Sequence, residues 1–259
     1  MKPDFSFGSD LYSCAQSVQA ADQGRFAAAT CAPLEGRAKL FALYAFNIEV
    51  SRAPWASAEP MMGQMRLQWW ADSLKQIKVA GPHHILSPLS DWVGPWEIGL
   101  MLEMIEARRL DVLRAPFERN ADLWDYLART SGHLMRLSAS ALGDQDGRAA
   151  GLFGQACGLA AYLRALPELE ARGRLPLADG RPEALADLAR EGLAVLASAR
   201  ALRKGLMPSA LPAFYVAPGI GTVLRRALRD PASIRKGTLY LSRTRTASLR
   251  LWQVLMRRY

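Results

Sequence analysis

Residues 40–74 decide the fold of this chain, and they read LFALYAFNIEVSRAPWASAEPMMGQMRLQWWADSL. The first part is apolar on nearly every side, which is typical of a helix enclosed by its neighbours. We predict that this helix runs from Leu34 to Ser51 and that its inward face carries Asn47 and Glu49 close together. Pro54 then ends it, because proline lacks a backbone donor and disfavours helical angles in the residue before it.

The second part of the stretch is an amphipathic helix. We predict that Ser57 caps it and that Pro60 lies in its first turn, where proline is tolerated. From the pattern of apolar residues we expect its core contacts to come from Met61, Met65, Leu67, Trp69 and Ile77.

Outward from this stretch, apolar residues recur at helical spacing between turns rich in glycine and proline. We predict further helices at residues 10–23, 95–114, 120–142, 148–166, 182–204, 209–228 and 237–258. Half of the 259 residues are hydrophobic, so the chain can bury a full core without disulfides. No fixed-period repeat and no proline-, glycine- or serine-rich linker divides it. We therefore predict one all-α domain over residues 1–259.

Basic charge is concentrated in residues 225–259, which we call the basic segment. It holds ten basic residues against one acid, Asp230, and its net charge of +9 equals that of the whole chain. Such a surface suits an anionic lipid leaflet, nucleic acid or an acidic protein partner, or is simply a solvated face. No nucleic-acid-binding module pattern is present, so we expect no nucleic-acid partner. The basic residues are Arg225, Arg226, Arg229, Arg235, Lys236, Arg243, Arg245, Arg250, Arg257 and Arg258.

Several classes of site have no support in the sequence. The three cysteines, Cys14, Cys31 and Cys157, lack metal-ligand spacing and are expected to be reduced thiols. His83 and His84 have no cysteine or carboxylate at ligand spacing, so we predict no metal site there. Phosphate-binding glycine loops are absent. No signal core and no apolar run near the ~20 residues of a membrane span is found, so we expect a soluble or peripherally bound intracellular protein.

Four segments resemble the squalene/phytoene synthase family in sequence and in order. They are RAKLFALYAFNIEV (37–50), MMGQMRLQWW (61–70), GLFGQACGLAAYLRALPELEARGRLPL (151–177) and ALPAF (210–214). The resemblance implies an isoprenoid synthase bundle of helices around a central cavity. Family enzymes join two prenyl diphosphates head to head, with two aspartate clusters that bind Mg²⁺. These ions neutralise the diphosphate leaving group while the allylic cation forms.

The first of these clusters falls on residues without carboxylates. The family pattern begins at Tyr44 and reaches Ser51, Arg52 and Trp55, which stand where the family has aspartates. We call these three residues the first cluster position. Glu49 is the only acid left near this position, and Asn47 is its only polar neighbour. Both belong to the predicted inward face of the apolar helix.

The second cluster has lost its aspartates as well. Ala165 and Leu169 stand in their places and form the second cluster position, and Ala161 replaces the family's asparagine. Arg164 and Glu168 are retained. Together with Tyr44, Asn47, Glu49 and the residues of the first cluster position, we interpret these as a vestigial pocket with no catalytic residue and no metal.

Within the family, the chain is most similar to a non-catalytic branch that includes the mitochondrial assembly factor for respiratory complex I and its bacterial relatives. The similarity lies in FNIE (46–49), in MMGQMRLQWW, in GLAAYLRALP (158–167) and in the aromatic and basic residues of 251–259. It implies a cofactor-free role in building a respiratory complex. We expect a cytoplasmic protein peripheral to the inner membrane, with a complex subunit or assembly partner and an anionic membrane surface.

Two other hypotheses remain open. One is a working head-to-head prenyltransferase that acts on farnesyl or geranylgeranyl diphosphate and binds Mg²⁺ through Glu49, Glu168 and Asp179. The other is an isoprenoid or lipid carrier that keeps the cavity without the chemistry. Its pocket would be lined around residues 160–163 and would hold a prenyl lipid.

Overall fold

The structure, a computed structural model, describes residues 3–57, 59–79 and 81–259. Over these ranges it contains helices and turns but no strand, which confirms the all-α prediction. No described helix is both long enough and apolar enough to cross a bilayer. The helices are α1 Asp10–Ala21, α2 Gln23–Thr30, α3 Leu34–Arg52, α4 Pro60–Lys75, α5 Leu86–Ser90, α6 Pro95–Leu113, α7 Asn120–Leu127, α8 His133–Ala141, α9 Arg148–Ala171, α10 Pro182–Ala201, α11 Leu211–Phe214, α12 Ile220–Arg229, α13 Ala232–Arg235 and α14 Arg243–Met256.

The helices form two compact units, each assembled from separate stretches of sequence. Unit 1 comprises Met1–Leu113, Leu137–Gln145 and Met207–Val216. Unit 2 comprises Arg114–Arg136, Asp146–Leu206 and Ala217–Tyr259. Unit 1 therefore contains α1 to α6 and α11, and unit 2 contains α7, α9, α10 and α12 to α14. The single domain over residues 1–259 stays a prediction.

Helix α3 lies at the centre of unit 1. Leu40, Leu43 and Phe46 are fully buried, and α1, α2, α4, α5 and α6 all contact the helix. Burial of each such side chain contributes roughly 1.5–3 kcal/mol to folding. The prediction of a helix enclosed by its neighbours is confirmed, and α3 ends one residue beyond the predicted Ser51. Pro54 follows in a short 3₁₀ turn.

Helix α4 differs from the prediction in its start. It begins at Pro60 with Glu59 as the N-cap, so Ser57 is not the cap. The Ser57 hydroxyl instead accepts a hydrogen bond from the backbone N–H of Glu59 at 3.1 Å.

Helix α4 also presents a different face to the core than predicted. Leu67 and Ile77 are buried, as predicted, but the side chains of Met61, Met65 and Trp69 are exposed. The reason is a close approach to α6 at Gly63, where an added Cβ would meet the Val112 side chain at 3.1 Å. Residues two positions away from Gly63 and Leu67 lie about 200° around the helix, and so on its outer side. The buried face consists of Gly63, Leu67, Trp70, Ala71 and Leu74.

In unit 2, α9 packs closely against the segment that links α7 to α8. Gly154 and Gly158 allow this approach, because an added Cβ would lie 2.3 Å from the carbonyl oxygen of Ser131 and 2.6 Å from its hydroxyl, respectively. The linking segment, Ala128–Gly132, is a π-helical turn. The predicted helix over 120–142 is thus present but passes through an irregular turn.

Three further predictions are corrected by local chemistry. The helix predicted over residues 10–23 ends before residue 23. The Asp22 side chain accepts a hydrogen bond from the backbone N–H of Arg25 at 2.8 Å and so caps the start of α2. Residues 209–228 form two helices, since Gly219 adopts a left-handed φ of +77° just before α12. The last helix begins at Arg243 rather than at residue 237, because Ser242 caps it.

Candidate functional site

The side chain of Tyr44, where the first family pattern begins, lies inside the core of unit 1. It is fully buried, and the guanidinium carbon of Arg25 lies 5.8 Å from the centre of its ring. Burial raises the pKa of Tyr44, and the neighbouring Ser138 and Arg25 oppose that shift. The phenol is therefore held neutral as a packing residue.

Asn47 and Glu49 do not share an inward face. Residues two apart on a helix are separated by about 200°, so the two side chains point in different directions. Both are partly exposed. The carboxylate of Glu49 lies 3.7 Å from the guanidinium of Arg66 on α4. The predicted inward pair is therefore wrong, and Glu49 takes part in an ion pair between two helices.

The first cluster position offers no set of donors for a divalent cation. The Ser51 hydroxyl donates a hydrogen bond to the carbonyl oxygen of Ile48 at 3.0 Å. Arg52 is an exposed cation, and Trp55 is an exposed indole in the 3₁₀ turn. Magnesium prefers carboxylate oxygens with water and phosphate. One hydroxyl, a guanidinium and an indole do not fit that requirement.

The second cluster position lies on α9 in unit 2 and is apolar. Ala161 is exposed, and Ala165 and Leu169 are partly buried. The guanidinium carbon of Arg164 lies 5.8 Å from the centre of the Tyr240 ring, in a cation–π arrangement. This arginine is therefore oriented by an aromatic ring of the basic segment.

The alternative carboxylate ligands in unit 2 are both paired with arginine. Glu168 lies 2.5 Å from Arg172. Asp179 lies 2.6 Å from Arg181, and the hydrogen bonds from Arg181 lower the pKa of Asp179 to about 2. In the part of the chain that the structure describes, no three His, Cys, Asp or Glu side chains are grouped as a metal site.

Of the two loop histidines, His83 contacts the backbone and His84 stacks on the His83 ring. Nδ1 of His83 accepts hydrogen bonds from the N–H groups of Ile85 and Leu86, both at 3.2 Å. The His84 ring stacks on His83 with 4.7 Å between ring centres. The His83 side chain therefore helps to start α5.

Tyr162, one of the residues 160–163 expected to line a carrier pocket, has a structural role in this region. Its hydroxyl donates a hydrogen bond to the carbonyl oxygen of Pro176 at 2.6 Å. The intervening turn passes through Gly173, which has a left-handed φ of +73°. The family-like segment 151–177 thus ends in a turn that folds back onto α9.

The basic segment includes the second half of α12 and all of α13 and α14, and it presents its charge to solvent. Every basic side chain in it is exposed except that of Arg250, which is partly buried. Arg235 lies 3.5 Å from Glu170 and donates a hydrogen bond to the carbonyl oxygen of Gly180 at 3.0 Å. Large apolar side chains are exposed in the same segment, namely Tyr240, Leu251, Trp252, Leu255 and Met256.

Tyr259 fixes the end of the basic segment to the body of unit 2. Its hydroxyl donates a hydrogen bond to the carbonyl oxygen of Ala199 at 3.1 Å. Its own carbonyl oxygen accepts one from Nε of Arg200 at 3.2 Å, and its ring lies 5.3 Å from that of Phe153. Helix α14 is therefore held against α9 and α10 by its C-terminal end.

Comparison with known proteins places these observations in a family. Residues 18–180, more than half of the chain and including α3 and α9, match the family described as squalene/phytoene synthase. The human protein described as NADH dehydrogenase (ubiquinone) complex I, assembly factor 6 is 26% identical over 169 residues, which cover 62% of this chain and 50% of that protein. Its Drosophila melanogaster homolog is 30% identical over 167 residues, which cover 60% and 50%. The chain thus spans about half the length of the curated relatives it matches.

A solved structure supports the same conclusion on the fold. A dehydrosqualene synthase crystallised with a ligand is similar over 96% of each chain, with a TM-score of 0.78 at 15% sequence identity. This similarity confirms the predicted isoprenoid synthase type of helical fold. The chain belongs to the squalene/phytoene synthase family.

Proposed function

We propose that this protein is a non-catalytic member of its family that assists the assembly of respiratory complex I at the surface of an energy-coupling membrane. The observation that carries the proposal is the chemistry of the two cluster positions. The first holds Ser51, Arg52 and Trp55, and the second holds Ala165 and Leu169. None of these five side chains is a carboxylate.

The loss of carboxylates at both positions argues against prenyl transfer. Ionisation of a prenyl diphosphate requires metal ions that neutralise the leaving group, and each aspartate cluster of the family serves as a metal platform. Arg52 or Arg164 could attract a phosphate, but one cation does not replace a set of metal ions. The alternative ligands Glu49, Glu168 and Asp179 each face an arginine.

The named relatives indicate the process. Two of them, from human and Drosophila, are described as complex I assembly factors, and the region they share with this chain covers about 60% of it. We infer that the shared region performs a related task, with a respiratory-complex subunit or another assembly protein as its partner. No cofactor is part of this proposal.

The basic segment supports a peripheral position on the membrane. A lysine or arginine close to an anionic leaflet contributes about 1 kcal/mol to binding, and the segment carries ten such residues. We therefore place the protein on the cytoplasmic side, peripheral to the inner membrane.

Deletion of the gene in its native cell tests the assembly role. We expect less assembled complex I on native gels and slower NADH oxidation by isolated membranes, both restored by the wild-type chain. Normal complex I in the deletion strain would contradict the proposal.

The purified protein tests the absence of catalysis. With Mg²⁺ and farnesyl or geranylgeranyl diphosphate we expect no presqualene, squalene or phytoene product. Sustained turnover would favour the prenyltransferase hypothesis instead. A prenyl lipid that stays bound through purification would favour the carrier hypothesis.

A further inference from the structure

Helix α14 directs apolar side chains toward solvent and a polar side chain toward the protein, which is the reverse of an ordinary surface helix. Gln253 is 7% exposed, whereas Leu251 and Leu255 are 61% and 68% exposed. Helices on soluble proteins normally direct leucine inward and glutamine outward. The sequence of α14 therefore provides an apolar surface that the body of unit 2 does not cover.

The exposed apolar residues form one continuous face. Leu251 and Leu255 are four residues apart, as are Trp252 and Met256, so the two pairs form adjacent rows on one side of the helix. All four side chains are about half exposed or more. We call these four residues the apolar face of α14.

The inner side of α14 explains why this face points outward. Leu249 and Gln253 are one turn apart on the inner side, and both are more buried than the apolar face. Gly219 leaves room for Leu249, whose Cδ1 would lie 2.7 Å from an added Cβ there. Tyr259 then fixes the end of the helix to Ala199. The apolar face is thus held in place by one contact near the middle of the helix and one just beyond its C-terminal end.

Positive charge flanks the apolar face. Arg243 and Arg245 lie at the start of α14, Arg257 and Arg258 follow its end, and all four are exposed. The only acid of the basic segment is Asp230, which precedes α13. An apolar helix face with tryptophan and flanking arginines is suited to the boundary between headgroups and acyl chains of an anionic bilayer. The positive charge of these arginines therefore favours an anionic bilayer over an uncharged apolar partner for this face.

We propose that α14 lies in the surface of an anionic lipid bilayer, with its apolar face inserted below the headgroups and its flanking arginines at the lipid phosphates. This inference rests on the membrane-peripheral part of the proposed function and assigns it to four apolar side chains. The basic residues of α12 and α13 contribute attraction over a longer range but do not insert.

Flotation of the full chain with vesicles tests the proposal. The vesicles contain phosphatidylcholine alone or with phosphatidylglycerol. We expect binding to the anionic vesicles. We also expect about a tenfold or greater loss of partitioning in L251S/L255S, because the variant removes two leucines that would insert below the headgroups. The matched control is M61S/M65S, which changes two exposed apolar residues of unit 1 and should bind like the wild type. Thermal unfolding of each variant checks that it is folded.

The outcomes separate this inference from the proposed function. If L251S/L255S binds anionic vesicles as well as the wild type does, α14 does not insert and the inference is wrong, while peripheral binding stands. If the wild type does not bind them at all, both the inference and the peripheral location are wrong. If L251S/L255S binds normally but fails to restore complex I in the deletion strain, the face docks a protein, and the inference is wrong.

Discussion

Glu49 on α3 and Arg66 on α4 form an ion pair with 3.7 Å between the carboxylate oxygen and the guanidinium nitrogen. The acid that lies next to the first cluster position in sequence is therefore matched by a cation from the neighbouring helix. The two side chains are 32% and 50% exposed. An exposed pair of this kind is worth about 0–1 kcal/mol after solvent screening.

The Glu49–Arg66 pair gives a first prediction. We expect a double-mutant cycle with E49Q and R66Q to show a coupling free energy below about 1 kcal/mol in urea unfolding, because water screens the pair. Added salt should reduce it further. A coupling of several kcal/mol would mean that the pair is buried in solution.

The orientation of α4 predicts a contrast between two of its residues. L67A should lower the free energy of unfolding by about 2–5 kcal/mol, because Leu67 is fully buried and its removal leaves a cavity. M65A should change it by less than about 1 kcal/mol, because Met65 is exposed. Denaturant unfolding of both variants measures the difference. Equal losses of unfolding free energy in the two variants would mean that Met65 lies in the core, as predicted from the sequence alone.

The close packing of α9 predicts a strong effect of a single methyl group. G154A should destabilise unit 2 by about 1–3 kcal/mol or more, because the added Cβ would lie 2.3 Å from the carbonyl oxygen of Ser131. G99A is the matched control, since nothing lies within 4 Å of a Cβ at that position in α6. It should be neutral or stabilising by up to about 1 kcal/mol. Thermal unfolding compares the two, and a stable G154A would contradict the packing.

Cys14 should be unreactive in the folded protein. Burial, with a smaller contribution from the charge of Asp10, raises the pKa of its thiol from 9.0 to about 12. The thiol also donates a hydrogen bond to the carbonyl oxygen of His84 at 3.2 Å. Alkylation at mildly alkaline pH, mapped by mass spectrometry, should label the exposed Cys31 first and Cys14 only after unfolding. Early labelling of Cys14 would show that α1 opens readily.

The same pKa shift predicts a dependence of stability on pH. The folded state keeps the Cys14 proton to higher pH than the unfolded state does. The contribution of this thiol to the free energy of unfolding is therefore complete below about pH 9 and is lost as the pH rises toward 12. C14A should therefore lose less stability than the wild type over this range. Parallel alkaline losses in the two proteins would contradict the assignment.

Local signals explain what could be predicted from the sequence. The bounds of α3 were predictable to one residue, because Pro33 and Pro54 flank an apolar run. The orientation of α4 could not be predicted in this way. The methionines on one side of the helix are as apolar as Leu67 and Trp70 on the other. Hydrophobicity therefore does not choose between the faces. Gly63 was the available signal, since a glycine within a helix often marks a close approach.

The arrangement of the candidate site depended on contacts between distant segments. The Glu49–Arg66 pair joins two helices whose relative rotation is set by packing. The exposed face of α14 depends on Gly219 and Tyr259, which lie outside the helix. Each of the two units is built from three separate stretches of the chain. No single linker therefore marks their division in the sequence. In contrast, the composition of the two cluster positions was readable directly from the residues.

The most direct test of a role without catalysis is complementation of the deletion strain with E49Q/E168Q/D179N. This variant removes every carboxylate proposed as an alternative metal ligand and disturbs their ion pairs with arginine. Asp179 also accepts the backbone N–H of Arg181 at 2.9 Å, and the amide oxygen of asparagine can replace that acceptor. We predict that it restores complex I on native gels and NADH oxidation by membranes to the wild-type level. Failure to restore complex I, with the variant folded and present at the wild-type amount, would contradict our central claim.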